Sequence, residues 1–438
     1  MESPTLYYSS RLLQSYICNY SHLKMTKKSP WHIVALFAVC GMGTSLSVSA
    51  VMSCIVYYKF IFGNSFFVYI NVAIFAPMLP MAILQAKWDT EFDILYGTIT
   101  AFSFRGIISF VIGIVVTSCL PLVKSQIAFC CMCSLLGFVS AILVGTMNQL
   151  TSFTSSCGRN QAGFLFGSQA SGLVVLALSF LSDFGRSQSS RGQVVYYLTV
   201  AAMTSLALLA FIYLICITKL GKSAAIRRDY QLSGSRNLES YLVEPQPDQS
   251  IRESLLKGDE EEDRVQNRAS LKSYQTLFKK SRGCCWCIMV SVGSNIAMSA
   301  WFGQVASSIT VLPQILFFTR VFMDALGRPA SLLCSPSSIR TLAIVAGLRL
   351  VFVPIFFLVA SDNKFPGYGN SNLLIILVAI IAFFSGYVTT SSYQLATRQL
   401  APEEASSLTK QASLLNIAFA LSAIIGVLFT LALQELKG

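Results

Sequence analysis

The chain has 438 residues, of which 54% are hydrophobic and only 12% charged, against roughly 25% charged in an ordinary soluble domain. Its formal charge of +12 is not a nucleic-acid signature, because the Lys and Arg sit between long apolar runs, where membrane topology and anionic headgroups account for them. The runs themselves exclude ordinary core helices: a hydrocarbon slab of about 30 Å needs about 20 apolar residues, and the chain repeats such a run many times.

The first 30 residues are polar and carry Arg11, Lys24, Lys27 and Lys28. The apolar run after them is too long for the core of a signal peptide. The tail therefore reads as cytoplasmic, and the Asn19-Tyr20-Ser21 sequon as unused. Six spans follow, at 32–57, 65–85, 94–119, 126–149, 161–183 and 193–218. Arg105 interrupts the third. Residues 219–283 hold 13 basic and 10 acidic side chains, with an acidic run from Asp259 to Asp263. Such a segment cannot bury a core, so it reads as a disordered cytoplasmic loop, either a plain linker or a stretch for phosphorylation or trafficking control. Five further spans lie at 284–307, 310–333, 339–360, 373–396 and 411–434, the eighth interrupted by Arg320 and Asp324.

The expected domains are thus a tail (1–30), a six-helix bundle (31–218), the loop (219–283) and a five-helix bundle (284–438). With the N-terminus inside, 23 basic residues fall on the cytoplasmic side and 6 outside, a clear positive-inside bias. Leaving out the long loop, the count is still 10 to 6. An odd number of spans then places the C-terminus outside.

Charge inside a span is costly and marks function by default. Asp324 and Arg328, four apart in Asp324-Ala325-Leu326-Gly327-Arg328, share a helix face and can pair. The pair can serve a polar ligand, the carboxylate accepting from hydroxyls and the guanidinium donating in a fork, or it can be a structural gate. Arg349 and Arg105 are cations without an obvious sequence neighbour, either gate residues or helix-end charges that snorkel. Gly163, Gly167 and Ser171 repeat small residues at helix-packing spacing, and Gln169 among them needs a partner. Pro77, Pro80, Pro313 and Pro354 interrupt helices, as cavity-lining breaks or as plain kinks. Of the 13 Cys, the group Cys284, Cys285 and Cys287 reads as packed thiols or as an acylation site after a basic segment. With two histidines and none of the common catalytic motifs, the sequence points away from an enzyme. No metal or cofactor is expected.

Taken in order, these motifs resemble those of the equilibrative nucleoside transporters, over about residues 35–434. Asp324 to Arg328 resembles that family's D-x-L-G-R, and Gly347 to Pro354 its R-L-V-F-V-P helix. Ser385-Gly386-Tyr387 with Pro402 and Glu404 resembles its N-G-Y … P-x-E region. Gly41, Gly43 and Thr44 match its G-x-G-T, and Met78-Leu79-Pro80 its M-L-P. The resemblance implies an all-α membrane fold, an eleven-helix major-facilitator-like bundle of six plus five helices. It also implies alternating-access movement of nucleosides or nucleobases. Carried over, Asp324 and Arg328 hold the ribose or base, and Met52, Met78 and Met81 line the apolar side. Ser49, Val144 and Asn148 are the further substrate-binding candidates, at positions where the family's own polar contacts differ: Ser47-Val48-Ser49 replaces P-W-N and Val144 replaces a Gln. Arg105, Arg320, Arg349 and Glu404 are gate candidates. The expected partners are a nucleoside or nucleobase and the lipid bilayer, with no nucleic acid. The expected assembly is a monomer in the plasma membrane. The alternatives are a transporter of another polar metabolite or organic cation, and a receptor or scaffold without transport.

Overall fold

The structure is a computed structural model that describes residues 30–63, 66–152, 157–182, 190–217, 251–305, 309, 311–361, 365–400 and 407–437. The N-terminal tail, most of the loop before 251 and the gate candidate Glu404 lie outside the described residues. Among the described residues the regular structure is helical throughout, with no strand.

The first half opens with α1 (Trp31–Ser53) and the short α2 (Ile55–Phe62), joined at Cys54, whose N–H bonds the Val51 carbonyl at 3.2 Å. Next come α3 (Phe66–Phe75) and α4 (Met78–Tyr96), one membrane-length segment broken at Pro77. Proline has no N–H to continue the ladder. Pro80 falls in the first turn of α4, where the missing donor matters little. Helix α4 runs well past the expected end at 85, so Asp89 and Asp93 are helical. Gly97, at φ 79°, turns the chain into α5 (Thr98–Cys119), a backbone angle that glycine adopts without a Cβ penalty. The half closes with α6 (Gln126–Ser152), α7 (Cys157–Leu181) and α8 (Ser190–Ile212).

The second half comprises α9 (Ile251–Trp301), α10 (Leu312–Leu333), α11 (Ile339–Leu350), α12 (Phe352–Ser361), α13 (Ser371–Arg398) and α14 (Leu408–Lys437). Helix α9 begins inside the loop expected to be disordered. A charged composition excludes a buried core there but not a helix. Pro313, expected to interrupt a span, instead sits in the first turn of α10 and starts it, whereas Pro329 lies inside that helix.

Among the described residues, ten helical segments are long and apolar enough to cross a membrane. Helix α10, the eighth span expected from sequence, is long enough but is set apart by Arg320, Asp324 and Arg328.

Small residues set the packing. A Cβ on Gly167 of α7 would run into the Ala38 carbonyl of α1, and one on Gly41 of α1 into the Phe164 carbonyl of α7. In the second half, Gly327 of α10 and Gly386 of α13 bring those two backbones together in the same way. The two halves meet where α10 packs on α7 and where α14 packs on α3, α4 and α6. One apolar core near Trp301 includes Tyr58, Phe66, Phe129, Phe302, Phe317 and Phe356, and so spans both halves. A second, toward the Trp31 end, includes Phe37, Phe164, Tyr393 and Leu415.

Candidate functional site

Helix α10 places Arg320, Asp324 and Arg328 four residues apart, on one face. Asp324 is 3% and Arg328 7% exposed. Arg328 Nη2 donates to Asp324 Oδ2 at 3.2 Å. The same guanidinium reaches across to the first half: Nη1 donates to the Leu165 carbonyl at 2.9 Å, and Nη2 to Gln169 Oε1 at 3.4 Å. Gln169 thus finds the partner it needed, on a helix far away in sequence. Asp324 Oδ1 and Arg328 Nε are buried without a hydrogen-bond partner. Close approach of α13 at Gly386, against the Asp324 backbone and carboxylate, fixes the depth at which the carboxylate sits.

Arg320 does not hydrogen-bond Asp324. Its Nη1 donates to Ser299 Oγ of α9 at 2.9 Å, and the guanidinium lies over the Phe317 ring at 5.6 Å. Arg349, 1% exposed, does not snorkel. Nε donates to the Ile381 carbonyl of α13 at 2.7 Å and Nη2 to the Ser291 carbonyl of α9 at 3.0 Å. Ser291 in turn bonds the Ser385 hydroxyl at 3.2 Å, one residue from Gly386. Arg349 therefore belongs to the same polar centre as Asp324.

Arg105 is elsewhere, at the Trp31 end. It pairs with Asp89 and, at 2.8 Å, with Asp93, both on α4. Gln149 Nε2 donates to Asp89 Oδ2 at 2.5 Å and to Ser413 Oγ of α14 at 3.4 Å. Sequence reasoning missed both aspartates, because the hydropathy run stops at 85. Their signal was the four-residue spacing on a continuing helix.

Asn148, a substrate-binding candidate, stands in a cross-half network. Its Nδ2 donates to Asn416 Oδ1 of α14 at 2.6 Å, which also accepts from Tyr393 Oη of α13 at 3.2 Å. Gln161 Nε2 donates to Asn148 Oδ1 at 2.6 Å, and Thr151 bonds Gln161. Two further bonds cross the same seam: Gln394 Nε2 to the Gly158 carbonyl at 3.4 Å and Tyr274 Oη to the Ala86 carbonyl at 3.0 Å. At the Trp301 end, Lys59 Nζ of α2 donates to the Gly303 carbonyl at 3.0 Å.

The remaining candidates are scattered. Met78, with Met81 beside it, packs with Ala141 of α6 and Ala420 of α14, on the seam between the halves. Met52 lies in the Trp301-end core together with Val321 of α10. Ser49 hydrogen-bonds Ser171 at 2.8 Å and so joins α1 to α7. Val144 is half-buried against the other core. Cys284, Cys285 and Cys287 are buried free thiols, the packing reading of that group.

The arrangement can hold a small polar solute by paired acceptor and donor groups at the junction of two helical halves. Comparison with known proteins bears on what that solute is. Residues 130–431 match the family model described as nucleoside transporter, well over half of the chain. In structure, the chain is similar to the proton:xylose symporter XylE of the major facilitator superfamily bound to 6-bromo-6-deoxy-D-glucose. The TM-score is 0.60 and the identity 11%, over 92% of this chain and 89% of that one. It is also similar to a variant of the E. coli fucose:proton symporter FucP, with a TM-score of 0.50 and 12% identity over 92% and 91%. At such identities the likeness is one of fold, a major-facilitator-type helical bundle. No curated protein matches the chain.

Proposed function

We propose a transport cycle on one premise: the chain belongs to the nucleoside transporter family. It is a multi-pass membrane transporter of nucleosides, not an enzyme. The cycle is facilitated diffusion by alternating access, with free nucleobases as further cargo. Asp324 and Arg328 bind the solute; Met78 and Met81 offer an apolar wall on the seam.

One observation carries this reading. Arg328 is bonded at once to Asp324 on its own helix and to the Leu165 carbonyl on the opposite half. A solute that takes the free Asp324 Oδ1 and competes for the guanidinium loosens the link to α7, so binding and rocking are coupled at one side chain. A net neutral hydrogen bond contributes about 1 kcal/mol and a charged one about 1.5–3 kcal/mol. That is small enough for a solute to exchange and large enough to bias two states.

The Asn148–Asn416–Tyr393 and Gln149–Ser413 bonds form the cytoplasmic gate, with Arg105, Asp89 and Asp93 bracing α4 against α5 behind it. Lys59 and the Trp301-end core form the outer gate, and Arg349 ties α9, α11 and α13 into one moving body. Helix α10 is the eleventh span, the N-terminus is cytoplasmic and the C-terminus extracellular. Residues 219–283 join the two bundles, 31–218 and 284–438, and the transporter works as a monomer in the plasma membrane.

The test is uptake of radiolabelled adenosine, uridine and hypoxanthine into liposomes holding the purified protein. Saturable uptake that equilibrates without an ion gradient is expected. Accumulation above the outside concentration, driven by a proton gradient, would overturn facilitated diffusion.

A further inference from the structure

The polar centre is unbalanced in charge. Arg320, Asp324 and Arg328 stack on one face of α10, and Arg349 joins them through Ser291 and Ser385. Asp324 hydrogen-bonds Arg328, Arg320 lies one turn before it on the same helix face, and Arg349 reaches the Ser291 carbonyl next to the Ser385 hydroxyl. Three guanidinium groups thus share one carboxylate. Among the described residues the other buried carboxylates, Asp89 and Asp93, are taken by Arg105 at the far end of the bundle.

Among the described residues, what else the cations touch is dipolar. The Leu165, Ile381 and Ser291 carbonyls, the Ser299 hydroxyl and the Phe317 ring solvate guanidinium without cancelling its charge. Donors remain over: Arg320 Nε, Arg328 Nε and Arg349 Nη1 are buried with no acceptor. A buried ion without a counter-ion costs several kcal/mol, and three open N–H groups add their own desolvation cost. A neutral solute supplies acceptors but leaves the charge. An anionic solute supplies both, through the short charge-assisted bonds that guanidinium makes to carboxylate and phosphate.

We propose that this centre is an anion site: its preferred solute is a nucleobase or nucleoside that carries a negative charge, and Arg320 is the residue that selects for it. Arg320 is the choice because Asp324 already receives Arg328 and, among the described residues, Arg320 bonds only the Ser299 hydroxyl and lies over the Phe317 ring. This inference rests on the transporter reading above and narrows its substrate class.

The experiment uses proteoliposomes of the full chain with three labelled probes: neutral uridine, orotate as a carboxylate-bearing pyrimidine, and uridine 5′-monophosphate as a phosphate-bearing one. Each is followed with valinomycin-set membrane potentials of both signs. At least one anion is expected to enter saturably, faster with the inside positive, and to be competed by unlabelled uridine, whose own entry does not follow the potential. Which anion enters separates carboxylate from phosphate. Arg320→Gln should lower the anion-to-uridine uptake ratio about tenfold, and Arg320→Lys should restore much of it, an outcome that a purely structural role for Arg320 would not give.

Uridine uptake with no entry of either anion overturns the anion inference and leaves the transporter reading intact. An unchanged ratio in a folded Arg320→Gln protein also overturns it. Anion entry without uridine entry supports the inference and removes neutral nucleosides from the reading. No entry of any probe overturns both. If Arg320→Gln does not fold, the potential dependence of the unaltered protein decides.

Discussion

Among the described residues Asp324 is the buried carboxylate of the α10 polar centre and the ion-pair partner of Arg328, so its removal should be felt beyond transport. Asp324→Ala leaves Arg328 buried and without its counter-ion, a change that costs about 3–5 kcal/mol. The expected result is a lower thermal midpoint in detergent together with near-complete loss of nucleoside uptake. A protein as stable as the parent would show that Arg328 had found another anion. Arg328→Lys should separate the two effects. The single ammonium keeps the charge but cannot serve Leu165, Gln169 and Asp324 together, so uptake should fall much further than the yield of folded protein. The Asp324–Arg328 pair was legible from its spacing alone. The other half of the Arg328 network was not, since Leu165 and Gln169 are far away in sequence and no local pattern announces them. Arg105 shows the reverse case: its partners were near in the chain, yet hydropathy stopped the helix before they were reached.

At the level of the helices, glycine placement decides how near two backbones lie. A Cβ on Gly386 would meet the Asp324 carbonyl and carboxylate, whereas one on Gly347 of α11 meets nothing within 4 Å. Gly386→Ala should therefore destabilise by about 1–3 kcal/mol through overpacking and reduce uptake by displacing the carboxylate. Gly347→Ala should be neutral or stabilising by up to about 1 kcal/mol, since alanine is the better helix former. Thermal unfolding of the two variants side by side checks this, and equal midpoints would refute the close α10–α13 approach. The helices themselves were largely readable, because runs of some 20 apolar residues have few other uses. Their ends were less so. Helix α4 continues past 85 although Lys87 and Trp88 are exposed, with Asp89 buried against Arg105, and α9 starts in a highly charged stretch, where composition argues against a core but not against a helix.

Across the whole molecule, the described residues that join the two halves at the Trp31 end include a group centred on Asn416, which accepts from both Asn148 and Tyr393. Asn416→Ala removes two hydrogen bonds of about 1 kcal/mol each, so the equilibrium should shift toward the state open at that end. Labelling of a cysteine placed at Ala420, on the seam beside Met78, should become faster from that side. An unchanged rate would place the latch elsewhere. The apolar runs were legible in the sequence, but which residues fasten them to one another was not, because Asn148 and Asn416 belong to helices far apart in the chain.

Among the described residues, the bonds that cross this end of the seam join amides, hydroxyls and backbone carbonyls: Asn148 to Asn416, Gln149 to Ser413, Gln394 to Gly158, Tyr274 to Ala86. The ion pairs of Arg105 brace α4 and α5 within one half instead. Mobile ions screen charges over a Debye length of about 8 Å at physiological strength, but they have little hold on neutral dipoles in van der Waals contact. The opening of this latch should therefore be indifferent to ionic strength. Raising the salt inside the vesicle at constant osmolarity should leave the rate of solute release unchanged, a property that would let the carrier keep its pace through swings in cellular electrolyte.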